Sequence, residues 1–328
     1  MIRTKTIPCN LCGGKDSEFL FEAKDRLHGI GETFSYVRCS ECGLVYMNPQ
    51  VVPEEIGKLY PSDYAPHTTA AKGAAAGIRS LYNRLMKTPV IAQFIKWITN
   101  VKIANNIYRR LDQKSRILDI GCGAGAFLNR VKTEKGCEVY GVDISEAAVE
   151  TAKNSFGLDI FRGTITEAPF EDDSFDVITA WWYLEHVPDP HATAARISSL
   201  LKQNGHCIIG VPNFDSFNAK GLKDKWYHLD CPRHLCIWTP SAMKRLMGQH
   251  GLTVTKIIYD KTPWGLRGSL QYALFGDNIN PKHRNRIRQS LLLWMLLLPW
   301  TIIVSLLKKS DIIVVYAKKT MDEQAAVT

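Results

Sequence analysis

"RILDIGCGAGAFL", Arg116 to Leu128, decides how this chain reads. A short apolar run, Ile117 to Ile120, meets a glycine-rich turn and then a helix-compatible stretch. Strand, glycine loop and helix in that order hold a nucleotide. The glycines let backbone approach the ligand, and the helix start offers unpaired N–H groups. Which nucleotide stays open at this point. Gly121, Gly123 and Gly125 fit G-x-G-x-G, while Gly121, Gly123 and Ala126 also fit the dinucleotide pattern G-x-G-x-x-G/A.

Outward from this loop, apolar strand-like runs alternate with helical periodicity. Strands are expected at 116–120, 138–142, 158–162, 175–181 and 206–212, with helices near 124–134, 146–156 and 191–203. Gly136, Gly157 and Gly205 stand where helix C-caps belong. Another helix is expected near 241–250, with Thr239 as N-cap and Pro240 at its first position. "LTVTKIIYD" at 252–260 and "DIIVVYAKK" at 311–319 close the pattern as strands. The expected fold class is therefore α/β: a doubly wound, Rossmann-like, seven-stranded sheet with an antiparallel edge.

The strand after the loop ends "VYGVDIS", which puts Asp143 22 residues past Gly121, where an acid can accept both hydroxyls of an adenosine ribose. That alone still fits a nicotinamide cofactor. Three features shift the balance. Asp119 lies inside the first strand, where it can order the loop and meet a cationic cofactor. The fourth strand ends in "AWWYLEHVPDP". The chain closes with two late strands rather than a second nucleotide-binding half. Together "ILDIGCGAGAFL", "VYGVDIS", "PFEDDSFDVI" and "LEHVPDP" resemble the class I methyltransferases that use S-adenosylmethionine, over about 116 to 319. The resemblance implies that Gly121, Cys122 and Gly123 pass beneath the methionine part. It implies that Asp143, followed by Ile144, holds the ribose and that the turn at Thr164 and Ile165 flanks the adenine. Relatives often carry an acid after the glycine at that turn; here the residues are "GTIT".

Four cysteines are paired: "CNLCG" at Cys9 and Cys12, "CSECG" at Cys39 and Cys42, with 26 residues between the pairs. Two-residue spacing lets two thiolates converge on one ion, and the following glycine permits the tight turn. Four such ligands make a closed structural site, expected to hold zinc; rubredoxin-like iron is the alternative metal, and a redox pair fits less well. The stretch has too little apolar content to hold a core without such a staple. The other five cysteines, Cys122, Cys137, Cys207, Cys231 and Cys236, read as small buried hydrophobes. The pairs together with "CGLVYMNPQ" resemble the zinc module fused to many small-molecule methyltransferases, among them sugar C-methyltransferases and relatives in polysaccharide or natural-product pathways. "WYHLDCPRHLCIWTP", Trp226 to Pro240, resembles a segment of several of the latter.

The acceptor side is less legible. His186 follows the fourth strand, and His228 and His234 crowd the aromatic stretch with Asp230 and Arg233. These histidines are the candidate catalytic groups, as base or as positioning group. The aromatic stretch is expected to be a lid or a rigid loop, with Arg233 available for a substrate phosphate. The favoured reaction is O-methylation of a small molecule or of a glycan, lipid-linked glycans included. Alternatives are sugar C-methylation, ribosomal RNA methylation and a non-enzymatic binding protein on this fold. Nucleic acid fits poorly, because aromatic and basic residues do not alternate along any track.

Net charge is +9 and pI about 9.0, which suits an anionic partner. The first residues hold no apolar core of signal-peptide length, so a cytoplasmic protein is expected, with the inner face of the membrane as a further site. The domain plan is a zinc-ribbon-like module and connector at 1–66, a linker and helical segment at 67–112, the methyltransferase domain at 113–319 with inserts at 213–240 and 261–310, and a tail at 320–328. "LLLWMLLLPWTIIVSLL", Leu291 to Leu307, is uncharged and apolar on every helical face. A hairpin broken near Pro299, a shallow insertion giving peripheral membrane contact through 282–309, and a buried cap or dimer interface all fit it. The oligomeric state is left open.

Overall fold

The computed structural model describes residues 2–60, 111–276 and 290–320, with Thr88, Pro89, Gln93 and Ile287. The linker at 67–77 and nearly all of the expected helices at 78–111 lie outside them. So do most of the basic run at 281–289 and most of the tail.

The N-terminal part is built around two glycine turns. β1 (Thr4–Lys5) pairs with β5 (Gln50–Val51); β2 (Ser17–Lys24), β3 (Thr33–Cys39) and β4 (Val45–Met47) form an antiparallel meander. Gly13 and Gly43 sit at φ 74° and 73°, and their N–H groups donate to the carbonyls of Cys9 and Cys39. Only glycine takes that backbone without strain, so each turn folds back within five residues. A short 3-10 helix, Pro53–Leu59, follows.

The main sheet starts with β6 (Arg116–Ile120), followed by α1 (Ala126–Lys135), β7 (Glu138–Asp143), α2 (Glu146–Phe156), β8 (Ile160–Arg162), β9 (Phe175–Trp181), α3 (Pro190–Leu200) and β10 (Leu201–Pro212). After the 213–240 segment, with α4 (Phe217–Leu222) and β11 (Cys236–Ile237), come α5 (Pro240–Gln249), β12 (Leu252–Tyr259), α6 (Trp264–Phe275), α7 (Leu291–Leu306) and β13 (Ile312–Lys319). Among the described residues the sheet has seven strands in the order β12-β13-β10-β9-β6-β7-β8. Pairing is parallel from β10 to β8; β13 runs antiparallel between β10 and β12. This is the doubly wound sheet, with the expected antiparallel strand at its far side.

Local chemistry sets the boundaries. α1 ends on Gly136 and α2 on Gly157, both left-handed. Side chains of Ser145, Asp189 and Thr239 accept the N–H groups of Ala148, Ala192 and Ala242 and start α2, α3 and α5. Alternate residues of each central strand face opposite sides. Leu118, Ile120, Ile209 and Val315 pack with α3 and α5, while Ile117, Ile208 and Val314 pack with Val131 of α1.

Three expectations change. Gly205 is not a helix cap. α3 stops at Leu200 because wholly buried Leu201 already pairs with Phe175; the chain then bulges before His206 re-enters the ladder. A Cβ on Gly205 would lie 2.8 Å from the Lys202 carbonyl oxygen, so the glycine permits a close backbone approach. Next, of the two expectations for the aromatic stretch the rigid loop holds and the lid does not: 213–240 is a wedge. β11 joins β4, and Trp226, Leu229, Leu235 and Ile237 share a core with Phe21, Phe34 and Tyr36 of the N-terminal meander. Finally, α7 runs unbroken through Pro299, which removes the hairpin. It is tied down by Thr301 Oγ1 donating to Lys261 O (2.7 Å) and Ser305 Oγ donating to Tyr259 O (3.0 Å), and its own Leu298 and Val304 are buried. No helix among the described residues is long and apolar enough to cross a membrane.

Candidate active site

The winding of the sheet reverses between β6 and β9, and in doubly wound sheets the crevice at the strands' C-terminal ends beside such a reversal is where ligands bind. The glycine loop forms its floor. Gly121, Gly123 and Gly125 all have positive φ, at 68°, 52° and 74°. Gly121 and Cys122 donate their N–H groups to Val142 O at 2.8 and 3.1 Å. Asp143, at the end of β7, accepts from Gly123 N through Oδ2 (2.8 Å) and from Ser145 N through Oδ1 (2.9 Å). Each carboxylate oxygen has a second lone pair, so the loop fixes Asp143 and leaves it able to receive two hydroxyls. Ile144 beside it is 52% exposed, an apolar surface fit to lie against a planar base.

Asp119 is buried under the loop, 2.6 Å from the Thr179 hydroxyl that donates to it. Burial pushes its carboxyl up to about 7; the Thr179 bond opposes this and the Asp143 charge adds to it. Such an acid is stabilised in its charged form by a cationic ligand. Positive-φ loop, paired acceptors, exposed Ile144 and buried acid together fit S-adenosylmethionine, which carries a ribose, an adenine and a cationic sulfur. At the β8 turn, Thr164 is tied to Glu167, which accepts from its N–H (2.8 Å) and its hydroxyl (2.7 Å). The Ile165 side chain is wholly buried in the main core, so it packs and does not line the crevice.

The three histidines take different places. His186 is half-buried, and its Nδ1 lies 3.1 Å from Arg233 O and 2.9 Å from Tyr60 Oη. The carbonyl accepts, and the phenol can donate or accept, so the two together anchor Nδ1. His234 is buried, with Nδ1 donating to His228 O (2.9 Å), and its ring lies edge-on to His186 at 4.6 Å. Burial, then His186, hold His234 down to about 3, so it is neutral near pH 7. His228 is stacked on Trp182 at 5.3 Å and buried, with its titration lowered by that burial; a Cβ on Gly265 would meet its Nε2 at 1.9 Å. It is a packing group between 226–229 and α6.

Arg233 is not available to a phosphate. Its guanidinium is wholly buried and donates to Asp25 (2.9 and 3.0 Å) and Asp230 (3.0 and 2.8 Å). Burial would raise Asp25, but the Arg233 hydrogen bonds and charge outweigh it and hold the acid low.

The four paired cysteines converge. Cys9 and Cys42 sulfurs are 3.5 Å apart, those of Cys12 and Cys39 3.4 Å, and all four lie within 4.8 Å of one another. Sulfurs around a tetrahedral ion with metal–sulfur bonds of ~2.3 Å are ~3.8 Å apart, so the set fits one ion. The first cysteine turn rests on α3: His191 Nε2, at the start of that helix, lies 2.9 Å from Leu11 O.

A family model described as a methyltransferase domain matches residues 97–257, the span that holds the glycine loop, Asp143 and the histidines. The chain carries a methyltransferase domain. Among similar proteins are the ubiquinone biosynthesis O-methyltransferases of Hahella chejuensis (29% identical over 44% of this chain), Alkalilimnicola ehrlichii (32%, 42%) and Pasteurella multocida (38%, 30%). The matches cover 68%, 64% and 46% of those proteins' own lengths. A solved S-adenosylmethionine-dependent methyltransferase from Archaeoglobus fulgidus is 19% identical, with a TM-score of 0.46 over 74% of this chain and 99% of its own. Geranyl diphosphate C-methyltransferase of Streptomyces coelicolor gives 15% and 0.45, over 67% and 75%.

Two residues of the methyltransferase domain went unassigned in the sequence. Tyr183 stands so close to the loop that a Cβ on Gly121 would lie 2.8 Å from its ring. Glu185 is wholly buried, and among the described residues both its carboxylate oxygens lack a hydrogen-bond partner. Burial pushes it up to about 8, its own N–H opposing and the Asp230 charge adding. An unpaired buried group of this kind costs about 1–3 kcal/mol. It stands beside His186 in "LEHVPDP", but only the fold shows that it faces inward.

Proposed function

We propose that the protein transfers the methyl group of S-adenosylmethionine to a hydroxyl oxygen of a small-molecule or glycan acceptor with an apolar portion. The observation that carries this reading is the placement of His186. It follows the strand beside the glycine loop, is half-buried, and has Nδ1 held between the Arg233 carbonyl and the Tyr60 hydroxyl. Bound in the crevice, the cofactor supplies an electrophilic methyl carbon on a cationic sulfur. Gly121 and Gly123 let the backbone lie close beneath it, Asp143 orients its ribose, and Trp182, 42% exposed, offers an apolar wall. His186 acts on the acceptor hydroxyl, as base or positioning group. Oxygen is favoured as the target because the relatives at 29–38% identity carry the name O-methyltransferase. The four cysteines hold zinc as a structural ion.

The test is transfer of label from methyl-labelled S-adenosylmethionine to metabolite, glycolipid and RNA fractions. Label in a hydroxylated small molecule or glycan, with turnover cut at least tenfold and cofactor affinity kept in His186→Ala, is the expected result. Label confined to RNA overturns it.

The acceptor is delivered from an anionic phospholipid surface. Leu291, Leu292, Met295, Leu296, Ile303, Leu306 and Leu307 of α7 and its end are 49–68% exposed, and Lys220, Lys223, Lys225 and Lys308 are exposed on neighbouring segments. Apolar contact plus a basic rim is the chemistry of interfacial binding, with about 1 kcal/mol per basic residue. The protein should float with anionic liposomes at low salt, and a Leu292→Ser, Met295→Ser, Leu296→Ser variant should not. A wild-type chain that stays in the soluble fraction leaves α7 as a contact between proteins.

A further inference from the structure

Beyond the thiolate knuckles, a second group of metal-type ligands converges inside the methyltransferase domain. Glu185, His186 and His234 each place a donor atom within 4.8 Å of the others. Glu185 and His186 come from the turn that follows β9; His234 comes from the wedge that carries β11. His234 Nε2 lies 3.9 Å from Glu185 Oε1, too long for a hydrogen bond and short enough for both to reach one ion.

Proton placement makes the group a ligand set. Nδ1 of His234 donates to the His228 carbonyl, and Nδ1 of His186 is held between the Arg233 carbonyl and the Tyr60 hydroxyl. The His234 ring therefore carries its lone pair on Nε2. Carbonyl acceptors behind imidazoles are how metal-binding histidines are commonly oriented. The Glu185 carboxylate beside them is wholly buried, and among the described residues neither oxygen has a hydrogen-bond partner. A hydrogen-bonded core would bring donors to those oxygens; His234 instead turns a lone pair toward them. Asp230 is also 3.9 Å from His234 Nε2, but its two oxygens are taken by Arg233, so it is not a fourth ligand.

We propose that Glu185, His186 and His234 bind a divalent transition ion of the zinc class. Two imidazoles and one carboxylate match that class, and three protein ligands leave a coordination position open, as in catalytic rather than structural sites. This deepens the proposed function and rests on it for its role. The acceptor hydroxyl takes the open position, loses its proton to solvent buffer and presents an oxygen anion for methylation. His186 is then a positioning residue and metal ligand rather than the base.

The test is cobalt(II) titration of the chelator-stripped full chain, with absorption spectra and metal counted per chain. Two ions are expected. One shows sulfur charge-transfer absorption from the cysteine site; the other shows d–d bands without it. Glu185→Gln and His234→Asn, checked for unchanged circular dichroism, should each drop the count to one and lose only the second signature. Wild type that takes a single ion, or a folded Glu185→Gln chain that keeps two, overturns the proposal. Calorimetry with S-adenosylmethionine on the same sample separates the two readings. Cofactor binding with one cobalt per chain leaves methyl transfer standing and removes the ion. Two cobalt ions without cofactor binding do the reverse.

Discussion

Replacing Arg233 by alanine should be among the most damaging single changes in the protein. The guanidinium is wholly buried and makes charge-assisted bonds to Asp25 on the N-terminal meander and Asp230 on the wedge. Removing it strands two carboxylates, with Asp25 side-chain exposure at 0% and Asp230 at 16%. Breaking a buried pair in this way costs about 3–5 kcal/mol. Asp25 keeps the N–H donors of Leu27 and His28, so the lower end, about 3 kcal/mol, is expected, or roughly a 150-fold shift in the folding equilibrium. Urea unfolding followed by tryptophan fluorescence measures it, because Trp226 is buried in the adjoining core. Asp25→Asn with Arg233→Met should lose less than Arg233→Ala alone, since only Asp230, the more exposed of the two acids, is then left unpaired. A loss under about 1 kcal/mol in Arg233→Ala would refute the reasoning. The pH dependence has a definite sign. Asp25 and Asp230 are both held below the ordinary value, in each case against burial and by Arg233. Their contribution is complete above the unfolded carboxylate value of about 3.9 and is lost as pH falls through the lower folded values. Wild type should unfold in acid below about pH 4, and Arg233→Ala should lack that step.

Two further outcomes follow from the glycine turns and the thiolates. Gly121→Ala forces a Cβ at φ 68° to within 2.8 Å of the Tyr183 ring; it should cost about 1–2 kcal/mol and weaken S-adenosylhomocysteine binding at least tenfold, read by thermal shift. Unchanged binding would remove Gly121 from the site. Cys9→Ser should release the structural ion and expose the meander to proteolysis while zinc per chain falls by one; a full metal content would refute the four-cysteine site.

Much of the main sheet was legible because its signals are local. Ile117, Leu118 and Ile120 announce a strand, Gly136 and Gly157 end helices, and Thr239 with Pro240 starts one. The glycine turns after Cys12 and Cys42 were legible for the same reason. What failed depended on distant partners. Gly205 resembled a cap, yet its place is set by Leu201 pairing with Phe175, a contact over 26 residues. Arg233 resembled a substrate anchor; its partner Asp25 lies 208 residues away and no local pattern pairs them. His228 and His234 stand close in sequence but differ in role, because one is pressed on Gly265 and the other turned toward Glu185. The aromatic run 226–238 shows its buried character only once the meander supplies the opposing core.

The central claim is that the crevice above Gly121–Gly125, closed by Asp143, receives S-adenosylmethionine. The most direct measurement is calorimetric titration of the folded chain with S-adenosylmethionine, beside Asp143→Ala and beside NADH. The account predicts one binding site per chain, affinity at least tenfold weaker in Asp143→Ala because two hydroxyl acceptors are lost, and no binding of NADH. Full affinity in a folded Asp143→Ala chain, or NADH bound in place of S-adenosylmethionine, would contradict it.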